Sequence, residues 1–182
     1  MKRTRSARRG SPKLSQLRIL CAAALLAALS IVLGKYLAIN VTDSIRLSFE
    51  NLTILMAGIF FGPVIGGVVG TAADLLGCML VGYAINPLVT LGAASIGLLG
   101  GLCWRLFGGL PYGIRLALTV ALAHLVGSVG IKTVGLSAFY SMPLGILALW
   151  RLLNYAIVGG LELTLLYFVL KNQAIRSLAG KR

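Results

Sequence analysis

The sequence predicts an all-α membrane protein, a bundle of six transmembrane helices with both termini cytoplasmic. Three observations lead there. The 182 residues are 58% hydrophobic and 12% charged, with a mean hydropathy of +0.95, whereas a soluble domain is about one quarter charged. The apolar residues fall into runs of membrane-spanning size, separated by Gly and Pro. The excess of basic residues, a formal charge of +13, gathers at the two ends of the chain. That placement is a topology signal with some affinity for anionic lipid, and it argues against a nucleic-acid partner.

A basic cytoplasmic segment, 1–14, holds Lys2, Arg3, Arg5, Arg8, Arg9 and Lys13, with Arg18 just beyond. The first span, 15–36, contains "ILCAAALLAALSIVL". It has the look of a signal peptide but is read as a retained helix, because more spans follow. Its "AAALLAA" pairs Ala24 with Ala28 and Ala23 with Ala27, and small residues at this spacing allow close helix packing. The strip either packs within the monomer or docks a partner subunit.

The second span, 50–62, is anomalous. Its thirteen or so residues cover about 20 Å, so it must start below the outer surface. The preceding connection, 37–49, then dips into the protein, where irregular backbone is tolerated if buried in protein or lining a cavity. Arg46 and Glu50 either face that cavity, or Arg46 snorkels to the headgroups while Glu50 sits at a helix N-terminus that favours its charge.

The third span, 63–82, follows Gly62 and carries Gly66 and Gly70 at four-residue spacing, a helix-packing face. Asp74 lies about 16 Å along from Pro63. A carboxylate at that depth needs a partner or a proton, and structural pairing and ligand contact both remain open. The fourth span, 87–107, leads into a connection carrying Arg105 and Arg115, on the same side as the termini. The opposite connections, 37–49, 83–86 and 138–142, hold only Asp43 and Arg46 as charges, which fixes the cytoplasmic side.

The fifth span, 113–137, places His124, Ser128 and Lys132 on one face with Gly127 and Gly135. The sixth, 143–170, does the same with Arg151, Asn154, Tyr155 and Glu162, and a basic tail, 171–182, closes the chain. Lys132 and Arg151 lie within about two turns of the outer end. Two cations facing an outward cavity would attract a carboxylate-bearing solute, and Tyr83, Tyr140, Trp150 and Tyr155 could stack on a flat ring. The blander arrangement pairs Arg151 with Asp74, lets Lys132 snorkel and leaves the aromatics as an interfacial belt.

"GSVGIKT" at 127–133 is not a phosphate loop, since Ile131 separates Gly from Lys inside an apolar helix. There is no HExxH, no GxSxG, and a single His. No catalytic residue and no metal site are expected, and in active transport another subunit must hydrolyse ATP. Cys21, Cys78 and Cys103 lie in apolar runs without a CxxC pair and are read as packing residues. The rival class is an intramembrane lipid-modifying enzyme using Asp74, His124 and Glu162 as acid–base groups.

The stretch "IRLSFENLTILMAGIFFGPVIGGVVGTAADLLGC", then "NPLVTLGAASIGLLGG", Lys132–Leu136 and "LWRLLNY" at 149–155 resemble the substrate-binding S components of energy-coupling factor (ECF) vitamin transporters, and among them the folate group. Trp150 stands before the arginine where that group suggests Tyr. The resemblance covers nearly the whole chain and implies a six-helix protein of the bacterial plasma membrane that binds a vitamin from outside. It also implies association with a transmembrane coupling protein and two cytoplasmic ABC ATPases, the Ala23, Ala24, Ala27 and Ala28 strip meeting the coupling protein. The expected ligand-site residues are Arg46, Glu50, Asp74, Tyr83, Lys132, Arg151, Asn154 and Tyr155. Lys132 and Arg151 would meet carboxylates, while Asn154 or Asp74 bonds a ring stacked on Tyr155 or Tyr83. Riboflavin, pantothenate, biotin and thiamine suit the same physical features, and only the resemblance favours folate. No cofactor is expected.

Overall fold

The computed structural model describes residues 12–40 and 46–172. The basic residues of 1–11 and 173–182, and Asp43, lie outside the described residues, as do the side chains of Lys13 and Arg46. Among the described residues six helices follow in chain order, as the hydropathy predicts. Helix α1 runs Pro12–Ile31 and ends in a π-helical turn, Val32–Tyr36. Helix α2 is Glu50–Phe61, α3 is Pro63–Val81 and α4 is Pro87–Leu106. Helix α5, Tyr112–Tyr140, has a π-helical middle, His124–Ile131, and α6 is Leu144–Lys171. A two-residue antiparallel ribbon, β1 (Ile39–Asn40) with β2 (Arg46–Leu47), interrupts the all-helical pattern between α1 and α2.

Local chemistry sets the boundaries. Pro63 and Pro87 occupy first-turn positions, where a missing N–H costs nothing. The Asn86 side chain caps α4 by accepting from the Leu88 and Val89 amides. Gly62, at φ +97°, makes the hairpin between α2 and α3, a backbone conformation that L side chains rarely adopt.

Five helices are long and apolar enough to cross a membrane, and α2 is the short one. Its 12 residues span about 18 Å. It sits at the centre of the bundle, with Asn51, Thr53, Leu55 and Ala57 all fully buried. Helices α2, α3 and α4 meet along a glycine seam. A Cβ on Gly66 would lie 2.6 Å from the Gly58 Cα and collide with the Gly97 carbonyl, and one on Gly70 would strike the Ala93 carbonyl. Gly66 and Gly70 thus act as the packing face that their spacing predicts, with the backbones in direct contact.

The alanine strip of α1 divides. Ala23 and Ala27, 7% and 8% exposed, pack with Ala57 and Val69, whereas Ala24 and Ala28 face outward beside the exposed Leu25 and Leu29. Of the cysteines, Cys78 and Cys103 are buried inside the bundle, whereas Cys21 lies on the exposed face of α1.

Candidate functional site: a paired polar interior beside a narrow cleft

Contacts between successive helices run in opposite senses. Ser30 of α1 donates to the Glu50 carbonyl at 2.8 Å, Asn86 at the start of α4 donates to the Gly135 carbonyl of α5 at 2.8 Å, and Arg151 near the start of α6 donates to the Ser128 carbonyl at 2.8 Å. The bundle therefore gathers residues 37–40 and 46–49 and the 82–86 and 141–143 connections at one end. The opposite end holds Arg105, whose guanidinium lies against Gly62, and Arg115, which donates to the Trp104 carbonyl and stacks 3.8 Å over the Trp104 ring.

At the first end the charged residues pair across helices. Lys132 is 2% exposed, and its Nζ donates to Glu50 Oε1 at 2.9 Å and toward Asn51 Oδ1 at 3.4 Å. Lys132 is thus enclosed between Glu50 and Asn51 rather than snorkelling to the headgroups. The shortness of α2 is the cause, because it brings the helix N-terminus and Glu50 to the depth of Lys132. Asp74 accepts the Thr90 hydroxyl at 2.7 Å, so the expected Arg151–Asp74 pair does not form. Arg151, half-buried, spends one donor on Ser128, a carbonyl that also accepts from the Thr133 hydroxyl at 3.3 Å.

The polar faces of α5 and α6 come together as their spacing predicts. His124 Nε2 lies 2.6 Å from Glu162 Oε2, His124 Nδ1 lies 3.3 Å from Ser128 Oγ, and the Tyr155 ring stacks on His124 with centroids 5.0 Å apart. Tyr155 is thereby engaged by His124 rather than presented as a bare ring, although Arg151 also stands 5.9 Å from its centroid. Asn154 is half-buried on α6 beside it. Asp74 takes no part in the His124–Glu162 pair, so the three acid–base candidates of the enzyme reading are not one cluster. Among the described residues, no group of three or more His, Cys, Asp or Glu side chains is disposed to hold a metal.

A narrow cleft of about 10 Å³, roughly room for one water, lies among α1–α4 and is lined by Ser30, Ile31, Lys35, Glu50, Ile54 and Asp74 among others. Glu50 and Asp74, both named as candidate ligand residues, line this cleft. Tyr83 is exposed at the end of α3 with Lys35 Nζ 5.6 Å over its ring. Tyr140 and Trp150 are exposed on the outside of the bundle, in keeping with an aromatic belt. Arg46 contributes backbone to the ribbon that leads into α2.

Sequence reasoning passed over Lys35, Asn51, Asn86 and Thr90. Asn86 had a readable signal, an Asn directly before Pro87 and an apolar run, which is a helix cap. Lys35 had only a weak one: a lysine closing a span looks like any snorkelling lysine.

Comparison with known proteins gives this geometry a family. A model described as the S component of an ECF-type riboflavin transporter matches residues 14–171. The folate transporter FolT of Clostridium novyi (strain NT) is 26% identical over 155 residues, which cover 79% of this chain and 83% of that protein. A crystal structure of FolT bound with folic acid shares the fold, with a TM-score of 0.65 at 24% identity, covering 82% of this chain and 90% of that one. With its apolar spans, the protein is a multi-pass protein of the bacterial plasma membrane, in a family of transporter subunits rather than enzymes. The chain belongs to the family of ECF-type transporter S components.

Proposed function

We propose that this chain is the high-affinity vitamin-binding subunit of an ATP-driven ECF importer and that its vitamin is folate. The observation that carries the vitamin is the similarity to a folate transporter along 79% of the chain. In this reading the subunit has no ATPase activity of its own. It works with a transmembrane coupling protein and two cytoplasmic ABC ATPases, and it needs no cofactor. Ala24 and Ala28, exposed on α1, are the residues of the alanine strip left to meet the coupling protein.

The geometry supports an amended site. Arg151 has further guanidinium donors beyond the one on Ser128, so it can take a ligand carboxylate in its planar fork. Asn154 and Tyr155 flank it on α6, while Asp74 and Tyr83 belong to the α3 side. Glu50 and Lys132 hold the wall between by pairing with each other. Arg46, on the ribbon, sits in the connection between α1 and α2, which in this reading covers the ligand.

The matching family description favours riboflavin as a second reading, and one titration separates them. Purified protein, stripped of ligand, is titrated with folic acid and with riboflavin while the fluorescence of its two tryptophans is followed, and the co-purifying ligand is identified by mass spectrometry. Folate should saturate at far lower concentration than riboflavin. Tight riboflavin binding with no response to folate would overturn the folate assignment and leave the family intact.

A further inference from the structure

The cations at the first-loop end are not equivalent. Lys132 is closed off by Glu50 and Asn51, and Arg151 is anchored on the Ser128 carbonyl. Lys35 is placed differently. It lies in the π-helical turn that ends α1, at the wall of the cleft. Two glycines let it sit there. Gly34 is pressed against Glu50, where a Cβ would come 2.6 Å from Oε2, and the Lys35 stem crosses Gly77 so closely that a Cβ there would lie 2.7 Å from its Cε.

Beyond Gly77 the Lys35 ammonium meets little that satisfies a charge. Its acceptor among the described residues is the Cys78 thiol at 3.6 Å, and no carboxylate of the described residues lies at ion-pair distance. An ammonium carries three donors and a thiol is a weak acceptor, so Lys35, half-buried at the edge of the cleft, has donor capacity to spare. Of the two carboxylates that line the cleft, Glu50 bonds Lys132 and Asp74 bonds Thr90, and neither is at ion-pair distance from Lys35. Tyr83 adds an exposed ring beside the ammonium, a surface for the flat part of a ligand.

We propose that Lys35 is a specificity-determining residue of the ligand site, receiving a carboxylate of the vitamin at the cleft mouth, with Tyr83 beside it and Gly77 as the groove that holds its stem. This inference rests on the folate reading, since folate carries two carboxylates on its glutamate portion and riboflavin carries none. It predicts selection by charge: the protein should prefer the acid to a neutral ester of the same molecule.

The test titrates folic acid and folic acid dimethyl ester into purified wild type, Lys35→Gln, Lys35→Arg and Gly77→Ala, with thermal unfolding of each variant as a check on folding. Wild type should bind the acid more tightly than the ester. Lys35→Gln should weaken the acid about ten- to a hundredfold, as expected for losing a charged hydrogen bond, and leave the ester nearly unchanged. Lys35→Arg should recover most of the acid binding. Gly77→Ala, with Lys35 intact but its stem displaced, should fall between, and it carries the test should Lys35→Gln fail to fold. If both Lys35→Gln and Gly77→Ala keep the wild-type affinity and the acid-over-ester preference, the inference is overturned while the folate reading stands. If wild type binds riboflavin and no folate, the reading and the inference fall together.

Discussion

The Lys132–Glu50 pair offers the sharpest test of how the interior is held. The two groups come from helices 82 residues apart in sequence and meet at 2.9 Å, with side-chain exposures of 2% and 18%. Breaking a buried pair by removing one partner costs about 3–5 kcal/mol, because the other charge is left uncompensated. The two single changes should not be equal. Lys132→Met leaves a carboxylate that keeps some contact with solvent, so it belongs at the lower end, about 3 kcal/mol. Glu50→Gln leaves an ammonium that is almost wholly enclosed, with only neutral amide oxygens, the new side chain's and that of Asn51, to accept from it, and belongs nearer the upper end. At roughly 2–4 °C per kcal/mol for a chain of this size, the midpoint should fall by about 6–20 °C. The double variant Lys132→Met/Glu50→Gln removes both charges and should lose less than the sum of the singles by about 2 kcal/mol or more. The assay is thermal unfolding of the purified protein in one detergent, followed by tryptophan fluorescence. Additive losses in the double variant, or single changes that move the midpoint by no more than a degree or two, would refute the reasoning and mean that the pair contributes no coupling.

Three further outcomes follow from the packing. Gly97→Val should separate α3 from α4, since a Cβ at Gly97 runs into the Gly66 carbonyl; a loss of more than the usual 1–3 kcal/mol of overpacking should appear as poor recovery of folded monomer on size exclusion, and wild-type recovery would contradict the seam. On α1, Ala27→Trp should destabilise the isolated protein because Ala27 packs on α2 and α3, while Ala24→Trp should leave thermal stability and vitamin binding intact and abolish uptake in vesicles that also contain the coupling protein and ATPases; equal behaviour of the two variants would dissolve the distinction. His124→Leu should cost about 3–5 kcal/mol by leaving the buried Glu162 carboxylate without its partner, and adding Glu162→Gln to it should restore a good part of that loss, whereas no recovery would show that His124 acts by shape alone.

The spans were legible in the sequence because hydropathy and Gly/Pro punctuation are local. Their order, the short second helix and the glycine packing face could be read from neighbours within a few residues. The π-helical middle of α5 was not legible, since "HLVGSVGI" has no signal separating it from an ordinary small-residue helix. Stripe arguments worked where two polar faces belonged to adjacent helices: His124, Ser128, Tyr155 and Glu162 do meet. They failed at partner choice. A face shows which way Lys132 points, but only the depth of α2 decides that Glu50 is what it finds there. Lys35 failed for the same reason, because its thiol acceptor lies 43 residues away and the groove it uses is one of the 23 glycines in a chain where most glycines simply let helices touch.

The short helix links these observations. A full-length α2 would carry its N-terminus to the membrane surface, and Glu50 would be solvated there like any first-turn carboxylate. Stopping about 18 Å long, it delivers a carboxylate and the positive end of a helix to the interior. The carboxylate satisfies Lys132, and the Ser30 hydroxyl and Gly34 close α1 onto the same point. At Glu50 the wall of the cleft therefore carries a charge that is cancelled within the chain. A wall of that kind is rigid and selects little by charge, which leaves selection to groups at its edge that remain under-satisfied. Lys35 on α1 and the spare donors of Arg151 on α6 are two such groups, on different helices, and a ligand held by both would tie α1 to α6 through contacts that the protein does not make by itself.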